Sequence, residues 1–177
     1  IRNTKGGELV RSFTAQQKYK LPVWSESSHK MVFFFSNDTS LNNYQMTLYD
    51  FELSASLSFG DTLDAKLDAT LVPSQWRSPF FSKEGDRLFF GVHDRAVKEQ
   101  EDSLLDEEKY HLDVWHFMDH QIQPQQKKRL SRDKKKSDLY VYNINQVSLN
   151  KLSNDTLSVV VTDKYEPAYA LAYSNES

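Results

Sequence analysis

At 177 residues, with 22 basic and 25 acidic side chains and a net charge of −3, the chain is long enough for one domain with a real core and has no long-range attraction for nucleic acid. It has no cysteine, which excludes disulfides and thiol catalysis, and no apolar run near the roughly 18 residues of a membrane-spanning helix. Aromatic residues make up 13% of a chain whose mean hydropathy is −0.67, which suits strands with one wet face better than a helical bundle.

In chain order, residues 1–20 read as an edge segment, "GELVRSFTA", leading into Pro22. Trp24 and Ser25 precede a polar turn and then "KMVFFFS" (30–36), an apolar run short enough to be a strand buried on both faces. "SNDTSLNN" (36–43) is dense in turn formers. "YQMTLYDF" (44–51) alternates with Tyr44, Met46 and Leu48 on one face, and "ELSASLSF" (52–59) with Leu53, Ala55, Leu57 and Phe59. "GDTLDAKLDATLVPSQW" crosses onward with weak signals and room for a short helical turn. Next come "DRLFFGVH" (86–93), an acidic stretch (98–109) with room for a helical turn at Leu104-Leu105, the alternating "YHLDVWHF" (110–117) and a strongly basic run "KKRLSRDKKK" (127–136). "LYVYNI" (139–144) and "LSVVVTD" (157–163) close the set of about ten strands, with no long amphipathic helix. The basic run lacks interleaved aromatics to stack on bases, so it reads as a solvated loop beside its acidic counterpart.

One local motif recurs. In "FFSKEGDRLFFG" (80–91), Phe80 and Phe81 end a strand, Lys83 to Asp86 make a turn in which Gly85 supplies positive φ, and Leu88-Phe89-Phe90 begin the return strand. The pair of an aromatic and a serine before a polar turn occurs at Trp24-Ser25, Phe81-Ser82 and Tyr173-Ser174, at intervals of 57 and 92 residues. Propeller blades are about 40–50 residues of four antiparallel strands, so the intervals fit one padded and one heavily padded blade. The expected architecture is all-β: a partial β-propeller of about two full antiparallel blades plus the edges of neighbours. The expected blade units are 22–77 and 78–166, with 167–177 starting the next and a long charged insertion over 95–138.

Three stretches carry a resemblance. "SPFFSKEGDRLFFG" (78–91) resembles the blade-opening repeat of TolB-type and WD-like propellers. "LDVWHFMDHQIQPQQ" (112–126), followed by basic residues and "LYVYNI", resembles the propeller segment of bacterial serine peptidases of the prolyl oligopeptidase family. "YEPAYALAYSNES" (165–177) is similar to that family's lead into a following blade. The resemblance implies a propeller N-terminal to an α/β-hydrolase domain, with that domain and its peptide substrate as partners, and by analogy a periplasmic or extracellular setting. The hydrolase would bring a G-x-S-x-G elbow, an Asp and a His. No G-x-S-x-G occurs in this chain, so it is expected to be the non-catalytic propeller part, gating access to the hydrolase, with no catalytic residue or cofactor of its own. A different class, a non-enzymatic propeller binding protein or glycan, is separated from it by the presence or absence of that elbow downstream. A stand-alone two-sheet sandwich is the third alternative. Open blade edges imply self-association.

His111, His116 and His120 lie near Asp113 and Asp119, but along a strand His111 and Asp113 share a face that His116 leaves, so a third metal ligand is lacking. The structural reading buries Trp115, lets Asp113 and His116 satisfy loop backbone, and has Asp119, Gln123 and Pro124 shape the following loop. Replacing a core Trp115 with Ala would then cost about 3–5 kcal/mol. Glu107 and Glu108 invite comparison with the glutamate pair by which dipeptidyl peptidases of the family hold a substrate's amino terminus. Ser25 and Ser82 lack a His-Asp partner in sequence and read as turn residues. Three sequons, at Asn37, Asn154 and Asn175, matter only in a glycosylating compartment.

Overall fold

The computed structural model describes residues 1–2, 5–9, 12, 18–27, 29–36, 41, 43–60, 67–97, 135–160 and 169–174. Among them are antiparallel strands and turns and no helix.

The first sheet is a meander of β1 (Tyr19–Trp24), β2 (Lys30–Phe35), β3 (Gln45–Asp50) and β4 (Ala55–Phe59), hydrogen-bonded in that order. Its register sets Trp24 opposite Met31, Val32 opposite Leu48, and Met46 opposite Phe59. β1 carries a bulge between Lys20 and Val23, where Leu21 takes a φ of +50°. In β2 the run Met31 to Phe34 is buried on both faces, as a short unbroken apolar stretch predicts.

The second sheet contains β5 (Leu71–Pro73), β6 (Phe80–Phe81), β7 (Arg87–Asp94), β8 (Asp138–Asn143) and β9 (Ser148–Lys151). β8 lies along one edge of β7, while β5 and β6 lie end to end along the other: Pro73 faces Val92 and Phe81 faces Leu88. This is the same four-strand meander with its first strand interrupted at 74–79. The third element is a hairpin of β10 (Leu157–Val160) and β11 (Leu171–Ser174).

Two expectations change. The sheet boundary falls between Phe59 and Leu71 rather than at 77/78, because "LVP" pairs with β7 and belongs to the second sheet. The chain leaves that strand where Ser74 donates its N–H to the Gly91 carbonyl at 2.8 Å and Arg77 crosses so close to Gly91 that a Cβ there would sit 2.8 Å from the arginine's own. Likewise Leu53 lies in a turn over 51–54, not on a strand, and Ala55 begins β4 at its exposed end. The Asp50 carboxylate accepts the N–H groups of Glu52 and Leu53 and closes that turn. The charged insertion ends at β8, whose first residue is Asp138, and its residues 98–134 lie outside the described set.

Two pairs of matching turns align the two sheets, and a third aligns the second sheet with the β10–β11 hairpin. Ser25 and Ser82 follow the aromatic that ends the first strand. Asp50 and Asn143 each accept a backbone N–H three residues on, and four residues on Ser54 and Val147 take φ of +51° and +54°. Asp68-Ala69-Thr70-Leu71 leads into β5 as Asn154-Asp155-Thr156-Leu157 leads into β10. In both, the first side chain accepts the threonine N–H and hydroxyl, at 2.9 and 2.8 Å for Asp68 and at 3.0 and 3.1 Å for Asn154.

This alignment makes Met31 equivalent to Leu88, Phe33 to Phe90 and Tyr49 to Tyr142. The shared core, however, combines Val32, Phe34, Met46, Leu48 and Phe59 of the first sheet with Phe81, Leu88, Phe90, Val92 and Tyr142 of the second. Phe59 joins them, its ring centroid 5.5 Å from that of Phe90 and 5.0 Å from that of Tyr142. The first sheet therefore contributes one face and the second the opposite face of the same pattern. Each fully buried side chain in this layer stabilises by roughly 1.5–3 kcal/mol.

Candidate functional site

The aromatic-serine corners are the most regular feature of the molecule. Ser25 donates its N–H to the Lys30 carbonyl at 2.9 Å, and its hydroxyl accepts the Lys30 N–H at 3.0 Å. Ser82 does the same with Arg87, at 2.9 and 3.0 Å. One serine thus closes each five-residue turn with both backbone and side chain, so the two buried serines make their hydrogen bonds within the turn. Gly85 takes a φ of +67° and donates its N–H to the Ser82 carbonyl at 3.0 Å. A Cβ at Gly85 would sit 3.5 Å from that of Ser25, so conformation rather than space selects glycine, and the two corners touch.

Neither serine is set up as a nucleophile. Ser82 donates its proton to the Asp86 carboxylate at 2.5 Å, and Ser25 shares a contact of 3.2 Å with Ser27. Activation requires a base that takes the hydroxyl proton and a third group to orient it. Asp86 is the wrong base: burial pushes its carboxyl up, but the Ser82 hydroxyl and the Arg87 guanidinium outweigh burial and hold it below the usual range. Both hydroxyls are engaged in closing their own turns.

A polar cleft of about 190 Å³ lies at the opposite end of the second sheet, where β7 ends and β8 begins. Two ion pairs lie at it, Lys136 with Asp155 at 2.8 Å and Asp138 with Lys151 at 2.7 Å, and Asp94 lines it as well. The hydrogen bond to Asp138 raises the Lys151 ammonium above its usual range, and that from Lys136 lowers the Asp155 carboxyl. His93 lines the cleft with Nδ1 2.8 Å from the Asp94 carbonyl, so that nitrogen carries the proton. Its Nε2 is left as a buried acceptor without a hydrogen-bond partner among the described residues. Burial lowers the imidazole's pKa and keeps it neutral at pH 7. The cleft holds two ion pairs, the Asp94 carboxylate, the Ser137 hydroxyl and one neutral imidazole. Among the described residues no group of three His, Asp or Glu is placed to hold a metal.

Of the residues singled out from sequence, Trp24, Ser25, Phe81, Ser82 and Gly85 are brought together at the adjoining corners. Glu107, Glu108, Asp113, Trp115, His116, Asp119, Gln123 and Pro124 lie outside the described residues, as do His111, His120, Asn37 and Asn175. Sequence reasoning missed the paired Asx turns at Asp50 and Asn143 and at Asp68 and Asn154. The second pair was visible as a repeated acceptor-x-Thr-Leu. No family model matches the chain, and no curated protein matches it.

Proposed function

We propose that the two sheets are consecutive blades of a β-propeller, and that the chain is the non-catalytic propeller portion of a serine peptidase of the prolyl oligopeptidase type. In that reading it lies over a hydrolase domain and filters the peptides that reach it. The observation that supports the propeller reading is the packing of unlike faces. A rotation that carries each sheet onto the next sets the leading face of one on the trailing face of its neighbour, whereas a two-fold sandwich sets like on like. The adjoining serine corners, on one rim of both sheets, are consistent with the same rotation. The peptidase assignment rests on "LDVWHFMDHQIQPQQ", and the non-catalytic role on the lack of G-x-S-x-G in the sequence and on Ser25 and Ser82, whose hydroxyls hold their turns.

The test has two arms. The reading frame beyond Ser177 is expected to encode G-x-S-x-G followed by Asp and His. A frame without them leaves a propeller but ends the peptidase reading in favour of a binding scaffold. The chain alone is expected to leave prolyl peptide substrates intact and to resist labelling by a fluorophosphonate. Labelling at Ser25 or Ser82 would overturn the structural role given to the corners.

A further inference from the structure

The cleft where β7 ends and β8 begins lies between the two feet of the charged insertion, Asp94 on the way out and Lys136 to Asp138 on the way back. Both feet are fixed by residues that do not line it. Arg95 donates from Nε to the Ala69 carbonyl and from Nη2 to the Gly60 carbonyl, each at 2.8 Å, and Ala96 exchanges bonds of 2.9 and 2.8 Å with the Asn43 side chain. On the return, Leu139 donates its N–H to the Ser153 hydroxyl at 2.6 Å. The walls are thus in place before anything enters, which lowers the ordering cost of binding.

Three polar groups of the lining make no hydrogen bond or ion pair to another described residue: the Asp94 carboxylate and the hydroxyls of Ser137 and Tyr140. Gly91 admits Ser137, since a Cβ there would lie 2.8 Å from the serine's hydroxyl oxygen. The fourth is His93 Nε2, which can only accept because Nδ1 holds the proton against the Asp94 carbonyl. A carboxylate also only accepts, and each hydroxyl can turn to accept. Among the described residues Lys136 and Lys151 offset Asp155 and Asp138 and leave Asp94 unmatched. The complement of this lining is a group that donates several hydrogen bonds and carries one positive charge. A volume of about 190 Å³ is the room of roughly six waters, enough for a small head group on a short stem.

We infer that the cleft binds an alkylguanidinium head, whose planar fork offers five N–H donors and a delocalised charge. The cleft is built within the second sheet and the turn that follows it, so it stands whether or not the two sheets are blades.

Titration calorimetry of the full chain with agmatine and with acetyl-Gly-Arg-Gly-amide tests this. At least one should bind saturably, and tetramethylammonium, a cation without N–H, at least ~10-fold more weakly. Asp94→Asn keeps the side chain's size and the backbone carbonyl that His93 uses, and should weaken binding at least ~10-fold with the urea midpoint unchanged. Tyr140→Phe should weaken it about 3-fold, and decides alone if Asn at position 94 lowers the midpoint. Glu52→Gln, a carboxylate at the corner end of the first sheet, should change nothing. Binding of the tripeptide assigns the cleft to arginine within a peptide, and binding of agmatine alone to a free small molecule; either supports the site. No saturable heat up to ~10 mM, equal affinity for tetramethylammonium, or an unaffected Asp94→Asn variant would overturn it.

Discussion

The two corners share the serine's pair of bonds to the basic residue but have different surroundings. Ser25 and Ser82 hold their turns at identical distances, yet the aromatic before the first is 46% exposed and the one before the second 7%. Phe81 lies on the face that receives the first sheet. Trp24 lies on the equivalent face of the first sheet and covers part of itself by stacking on Phe51 at 5.3 Å. Local sequence thus sets the turn, and the neighbouring sheet sets how deeply its aromatic is buried.

The sharpest way to break that comparison is at the layer between the sheets. Phe59→Ala removes the ring that meets both Phe90 and Tyr142 and should lower stability by about 3–5 kcal/mol in urea unfolding, while Trp24→Ala, at the solvent-facing corner, should cost about 1 kcal/mol. Equal losses would mean that the two faces are equally buried. Next is the joint between the sheets. Gly60 has a φ of +84°, and a Cβ there would lie 2.4 Å from Pro73 Cδ, so Gly60→Ala should cost about 2–3 kcal/mol in the same measurement. Ser82→Ala leaves the Arg87 N–H without its acceptor and should cost about 1–2 kcal/mol. Ser25→Ala should match it if the corners are equivalent. Val147 and Ser54 share a left-handed backbone, but the β-branched valine tolerates it less well. Val147→Asn should raise the urea midpoint by the equivalent of about 0.5–1 kcal/mol and Ser54→Asn by less.

The smallest expected effect is one of pH and belongs to the second sheet alone. Below His93's ordinary pKa of 6.5 the unfolded imidazole takes up a proton that the folded one, kept neutral by burial, resists. The unfolded state then binds more protons, and stability falls as pH drops through that value. His93→Gln should flatten the urea midpoint between about pH 7.5 and pH 5.5. An unchanged slope would place the titration elsewhere.

Much of the strand order was legible because period-2 alternation and turn residues are local signals. "KMVFFFS" and "LYVYNI" stand where β2 and β8 form, and Gly85 has the positive φ its turn demands. The interrupted first strand of the second sheet was not legible. "LVP" is too short to register alone, and only β7 shows that it and Phe80-Phe81 share one edge. Leu53 misled because its alternation with Leu57 and Phe59 continues into a turn closed by Asp50, whose carboxylate no hydrophobic pattern reports. The cleft was also hidden, since His93, Lys136 and Asp155 come from three separate segments joined by the sheet. The stretch most specific to the family resemblance, 112–126, falls outside the described residues.

If the two sheets are consecutive blades as proposed, the surface that gives and the surface that receives differ, so the stack has a direction and every new member would meet its predecessor as the last one did. Gene duplication can therefore lengthen or shorten such a molecule by whole units without inventing a contact. What must be invented is only a way to stop.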